Sequence, residues 1–403
     1  MKKTTLLLLS FFFSIMLIAQ ETEKSFNPTI SGYVGYEAFF DTYKSADTRD
    51  GEVYLYPLRQ DLDVNGDDIN KKLQFQMLSI QSRIKFASTG PDAFGAKTSA
   101  AIETDFLGIS QNDVRQLRIR NAFLKLDWGT TNLLLGQYWH PTIYTKAIPG
   151  VIHFGAAAPF HPLHRSSQAR ITFNPSENLE LLAAALIHGY HISSGPADAQ
   201  RNAGLPDFQF RGIFKTDIFY FGANAGYKFL TPRLETATNL KTTKTVGSYN
   251  THLFAGADID PIHVSGGLIY GQNLTHFVMI GGYASSDVND DYDYTNFKTM
   301  SIYADAYLKM DNLLFGGFAG YSKNLGADDD IMGPVIYGRA LDASYIFRIA
   351  PRVVVVSGKT SFAFEYNLTG AAYGTAFDAK GKATDTDDIV VNNKLLFLAK
   401  YTF

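Results

Sequence analysis

The sequence has no cysteine in its 403 residues. That excludes a disulfide framework, a thiolate metal centre and a lipid anchor on an N-terminal cysteine. Tryptophan occurs only twice. Beyond the first twenty residues there is no apolar run near the about 20 residues that a transmembrane helix needs. Charge of one sign is also scarce: 36 Lys and Arg face 39 Asp and Glu. So mild a balance does not point to nucleic acid. No G-x-S-x-G occurs, and Gly358-Lys359-Thr360 lacks the glycine at position 353 that a phosphate loop requires.

What the chain has in abundance is aromatic residues and glycine, with 31 Phe, 23 Tyr and 34 Gly. This is a strand-forming composition. Lys2 and Lys3 precede an apolar run from Leu6 to Ile18, followed by Ala19. The pattern predicts a secretory signal over 1–19, cleaved after Ala19, and one domain over 20–403. Without the two signal lysines the charge is 34 against 39, or −5.

After residue 20 one pattern repeats: about ten residues alternating apolar and polar, then a turn. The turns alternate between short and long, as in outer-membrane barrels. Phe208, Phe210 and Phe214 oppose Gln209, Arg211 and Lys215; Ala169, Ile171 and Phe173 oppose Gln168, Arg170 and Thr172. Tight turns are expected at Gly90-Pro91-Asp92, Gly129-Thr130, Pro175 to Asn178, Asp260-Pro261, Asp311-Asn312 and Pro351. The fold class is all-β: a transmembrane antiparallel β-barrel of about 16 strands with short periplasmic turns. A soluble sandwich or propeller would not need so many long strands with one uniformly apolar face.

Within 115-RQLRIRNAFLKLDW-128, Arg118 and Arg120 share one face while Leu117 and Ile119 share the other. Past Asn121 the parity changes, so a bulge near Asn121 to Phe123 is expected. The C-terminal 394-KLLFLAKYTF-403 alternates Leu395, Phe397, Ala399, Tyr401 and Phe403 on one face. It resembles the assembly signal of outer-membrane barrels, in which Tyr401 and Phe403 would be read by the barrel assembly machinery.

With 116-QLRIRNAFLKLDW-128 followed by 135-LGQYWHP-141, the chain resembles the sixteen-stranded porins of Gram-negative outer membranes, and the DcaP-like porins among them. The resemblance implies a homotrimer in outer-membrane lipid and lipopolysaccharide. It also implies a water-filled channel for passive diffusion of small hydrophilic solutes, with the third loop, 139–167, as a constriction. That loop departs from the general porins in having no acidic residue. It carries Lys146, Arg165 and four of the nine histidines, His140, His153, His161 and His164.

Charge parity predicts a basic pore wall of Arg83, Lys85, Arg118, Arg120, Arg170, Arg211 and Lys215. It predicts an acidic wall of Asp258, Asp305, Asp342 and Glu365 opposite, with Glu37, Glu103 and Asp105 elsewhere. Basic ladders favour anions, so a weak-to-moderate anion preference and small anionic solutes are expected. His161 and His164 are spaced like a metal pair, but no third ligand is evident and Pro162 breaks helical geometry, so loop histidines without a metal are expected. They would titrate near pH 6 and modulate conductance. In 61-DLDVNGD-67, Asp61, Asp63, Asn65 and Asp67 have calcium-loop spacing, but Lys72 stands where a bidentate Glu belongs. Weak calcium binding and a plain solvated acidic loop both fit. No other cofactor is expected. Two other readings stand beside the porin: an outer-membrane barrel enzyme such as a lipid hydrolase, and a ligand-binding or adhesin barrel.

Overall fold

The computed structural model describes residues 27–189 and 191–403; the signal peptide expected over 1–19 lies outside them. Alternating side chains drive long strands, and the strands close on themselves. In chain order they are β1 (Asn27–Asp41), β2 (Gln74–Leu78 continued by Arg83–Ala93), β3 (Ala96–Asp105), β4 (Arg118–Asp127), β5 (Thr131–Trp139), β6 (Arg165–Ser176), β7 (Leu179–His188) and β8 (Asp207–Lys215). The second half comprises β9 (Phe219–Leu230), β10 (Val246–Ile259), β11 (Ile262–Gln272), β12 (Tyr294–Met310), β13 (Leu313–Ala327), β14 (Ala343–Ser357), β15 (Thr360–Phe377) and β16 (Val390–Thr402). Each pairs antiparallel with the next, and β16 pairs with β1 from Thr402 opposite Tyr33 to Lys394 opposite Asp41. The sheet is therefore a closed barrel with no edge, the arrangement that satisfies every backbone group in lipid.

The outer face is the apolar one. Phe208, Phe210, Phe214, Phe219, Phe221, Phe362 and Phe364 all point away from the barrel and stay exposed, whereas Gln209, Arg211, Asn224 and Lys228 between them are buried inside. Only lipid makes such a band stable. Phe210→Arg, at 60% exposure the barest of these rings, is expected to cost about 2–4 kcal/mol. A lowered midpoint for loss of the compact band on unheated gels checks this.

Long connections (42–73, 106–117, 140–164, 189–206, 231–245, 273–293, 328–342, 378–389) alternate with turns of two or three residues. The first and last described residues, Asn27 and Phe403, lie at the short-turn end. There Phe403 exchanges backbone hydrogen bonds with Gly32 at 3.0 and 3.1 Å and so extends the closing seam to the last residue. Two expected turns are elsewhere. Pro91 and Asp92 lie within β2, and the chain turns at Phe94-Gly95, both with positive φ. Pro351 lies inside β14, opposite Gly317 of β13, and the turn falls at Gly358-Lys359.

The bulge in β4 is one residue earlier than expected. Glu103 pairs with Asn121 but Thr104 pairs with Ile119, so Arg120 is the extra residue. Arg120 and Asn121 then both turn inward, and the alternation resumes with Phe123 and Lys125 inside. The neighbouring strand is built to fit. The Gln137 side chain donates to the carbonyls of Ile119 and Arg120, at 2.9 and 3.0 Å, which the bulge takes out of the ladder. Gly136, at φ +131°, lets the backbones meet; a Cβ there would lie 2.2 Å from the Ala122 carbonyl oxygen.

Candidate functional site

The lumen is the candidate site, and two long loops fold into it. The third loop, 140–164, crosses from one wall to the other. At its start, Thr142 is held by β10: the Asn250 amide donates to Thr142 Oγ1 at 3.2 Å, and His252 Nδ1 lies 2.8 Å from the Thr142 carbonyl. Tyr144 packs against Tyr220 and Phe254, rings 5.2 and 5.6 Å apart. At its tip the loop reaches the far wall. Asp305 Oδ2 accepts the Gly150 N–H at 3.2 Å, and Glu365 accepts the N–H groups of Ile152 and His153 at 2.6 and 3.4 Å. Gly150 is needed for that approach, since a Cβ would lie 2.7 Å from Arg352 Nη2. The loop returns along β12, where Ser301 donates to the Phe160 carbonyl at 2.9 Å.

The first long loop, expected to be polar, also turns inward. In its hairpin, Ser45–Thr48 with Val53–Pro57, the second strand is buried throughout, with Tyr54 only 1% exposed. Arg348 of β14 joins the two loops. It donates to Leu55 and Tyr54 carbonyls in the first (2.6 and 3.4 Å) and to the Ala158 carbonyl in the third (3.1 Å). It also contacts His153 Nε2 at 3.0 Å and donates to Thr369 Oγ1 at 3.0 Å. The legible signal was the aliphatic and aromatic run 53-VYLYP-57, too apolar for an exposed loop.

Most of the charged residues expected to line the pore are inside, but they are paired rather than split into opposing walls, and Asp258 and Asp342 of the expected acidic wall are not among them. Asp105 sits between two arginines: Arg118 Nε and Nη2 reach it at 2.6 and 3.0 Å, and Arg120 Nη1 at 2.8 Å. Glu103 binds Arg120 Nε at 2.7 Å, stands 3.8 Å from Arg83 and faces Lys85 in register. Acids therefore lie within the basic sector, because adjacent strands β3 and β4 supply both signs. On the other side, Asp305 makes a two-pronged pair with Arg352 at 2.7 and 2.9 Å. Asp305 and Glu365 are thus buried anchors of the third loop. Asp258 is exposed at the short-turn end, 2.5 Å from His263, and Asp342 is exposed in the 328–342 connection.

One cluster stays open to water. A cavity of about 670 Å³ between the wall of β4–β8 and the third loop is lined by Lys125, Arg170, Arg211 and Lys215 against Glu177 and Glu180. Arg211 holds the loop's root through the Pro141 carbonyl at 2.8 Å and pairs with Glu180 at 2.9 Å; Lys215 is 3.7 Å from the same carboxylate. Arg170 donates to Gln168 at 2.9 Å and to the Trp139 carbonyl. Lys125 pairs with Asp127 at 2.7 Å.

The third loop is less charged than its sequence suggests. Lys146 is exposed, but Arg165 begins β6 and lies 3.6 Å over the Trp139 ring. Burial, with Arg348 beside one and His252 beside the other, holds the His153 and His161 rings well below the usual histidine range. Both shifts run against the titration near pH 6 expected of the loop histidines. His161 and His164 do not converge: His161 packs on Tyr303 and His252, whereas His164 meets His140, His188 and His276. In the acidic outer loop, Asp63 Oδ1 accepts the N–H groups of Asn65 and Asp67 at 2.8 and 3.0 Å, and Gly66 turns at φ +87°. These contacts shape the turn through one carboxylate oxygen of Asp63.

No family model and no curated protein sequence matches the chain. Solved structures do. The outer membrane channel DcaP of Acinetobacter baumannii superposes with a TM-score of 0.71 at 15% identity, over 95% of this chain and 99% of that one. The trimer form of OmpT, an outer membrane protein of Vibrio cholerae, gives 0.57 at 12% identity, over 94% and 100%. OmpF of Salmonella typhi gives 0.53 at 10%, over 93% and 97%. Closed antiparallel barrel, alternating connections and inward third loop together give this chain the sixteen-stranded fold of the outer-membrane porins.

Proposed function

We propose that the protein is a passive porin of the bacterial outer membrane, admitting small hydrophilic solutes with a weak preference for anions. The observation that carries the reading is the third loop hydrogen-bonded across the lumen from β10 to Asp305 and Glu365. A constriction so placed divides the interior and leaves a polar cavity beside it. Four cationic side chains against two carboxylates there support the anion preference. Most other lumen charges cancel in pairs, which keeps the expected preference weak. A homotrimer is part of this proposal, supported by the trimer form of a barrel with the same fold.

Salt-gradient reversal potentials in planar bilayers test it. The wild type is expected on the anion side. Arg170→Glu, which changes the cavity by two charges, is expected to move the potential to the cation side; an unmoved potential would place the permeation path elsewhere. A protein silent in the bilayer that hydrolyses lipid esters would favour the enzyme reading instead.

A further inference from the structure

At the outer end of β7 and β8, four side chains from four separate segments meet in the barrel wall. His140 comes from the root of the third loop and His188 from the end of β7. Asp207 begins β8, and His276 lies in the 273–293 connection. One ligand atom from each lies within 4.8 Å of the other three, and all four residues are buried. We propose that this cluster is a binding site for one divalent first-row transition metal ion of the zinc type, and that the ion clasps the third loop to the barrel wall.

Three features point to a ligand rather than to a satisfied polar core. First, the donor set is three imidazoles and one carboxylate, which suits a tetrahedral ion with bonds of about 2.0–2.2 Å. Ligand atoms around such an ion stand about 3.3 Å apart, and two pairs are already near that spacing. Asp207 Oδ2 lies 3.0 Å from His188 Nε2 and 3.6 Å from His140 Nε2. Second, nitrogens facing the cluster are left without partners: His140 Nε2 and His276 Nε2 are both buried with no hydrogen bond. Buried polar atoms are rarely left so, and two on one cluster call for an occupant. Third, an outer shell is built. Gln209 donates to the other oxygen of Asp207 at 2.6 Å, and Lys228 Nζ lies 2.8 Å from His276 Nδ1, the nitrogen facing away from the cluster. Lys228 also donates to Ser193 and to the Asn273 carbonyl at 2.8 and 2.6 Å.

The neighbouring His164 shows the contrast. Its Nδ1 meets the His276 carbonyl at 2.6 Å and its Nε2 meets Ser166 Oγ, so both ring nitrogens are engaged and it frames the site without joining it. Loading through His140 Nε2 puts the ring proton on Nδ1 and gives up the 3.2 Å contact from the Thr142 N–H. Access is at hand: a cavity of about 400 Å³ at the outer rim is lined by His188, Ser193 and Gln200.

Untagged protein in detergent, titrated with Co²⁺, tests this. The expected result is the intense visible absorption of a tetrahedral cobalt centre, saturating at one ion per chain and displaced by Zn²⁺. His188→Gln and Asp207→Asn are each expected to weaken uptake at least about a hundredfold. The gel shift of the compact barrel on heating shows that each variant is folded. Octahedral spectra only, or uptake unchanged in the folded His188→Gln, Asp207→Asn double variant, would overturn the proposal. Because the wild-type spectrum alone decides the first point, a variant that fails to fold does not blunt the test. The readout is independent of conductance, so it fails separately from the porin reading.

Discussion

Arg348→Ala will widen the channel. Single-channel conductance is expected to rise by roughly twofold or more, with larger current noise, while the barrel remains folded. Arg348 is fully buried and holds the first loop at Tyr54 and Leu55 and the third at Ala158. Its removal leaves those carbonyls without their donor and the His153 ring without its neighbour. Lost hydrogen bonds to a buried charge cost about 1.5–3 kcal/mol each. That cost falls on the loops rather than on the strands, whose ladders Arg348 does not need. Limited proteolysis would show the same change as new cleavage within 45–57 and 140–164. An unchanged conductance with loops still protected would mean that the loops hold their place through apolar packing alone. Phe160 against Phe318 is the first such contact to suspect.

Asp105→Ala will have the largest effect on stability. Asp105 is fully buried and takes three hydrogen bonds from Arg118 and Arg120, both also buried. Removing one member of such a network leaves uncompensated charge, at about 3–5 kcal/mol. The loss should appear as a lower temperature for conversion of the compact band to the unfolded one. Replacing Asp105, Arg118 and Arg120 together with polar neutral residues is expected to recover much of it, because no buried charge is then left alone. A single-variant loss below 1 kcal/mol would mean that water in the lumen screens the arginines.

These predictions mark where the sequence was legible and where it was not. The strands could be read because lipid and lumen impose a period of two on every one of them. Phe208, Phe210 and Phe214 against Gln209 and Arg211 suffice to place β8. The bulge in β4 was legible for the same reason, as a break in that period. Pro351 misled because proline is a strong turn signal, yet its φ is compatible with a strand; Gly358-Lys359 was the better turn. What the sequence could not show is which charges meet. Asp105 and Arg118 are far enough apart in the chain that only the β3–β4 register brings them together. Asp305 and Glu365 look like lumen acids, but the loop that covers them is more than a hundred residues away. His140, His188, Asp207 and His276 carry no motif at all; their convergence depends on where two loops end up.

The central claim is that the barrel conducts through a constriction formed by its third loop. The most direct measurement is single-channel recording of the purified protein in a planar bilayer, beside a variant in which 144–160 is replaced by a short Gly-Ser linker. The account predicts stepwise insertion with a defined unit conductance, and clearly larger steps for the variant. A wild type that inserts but stays electrically silent, or a variant with the same unit conductance, would contradict it.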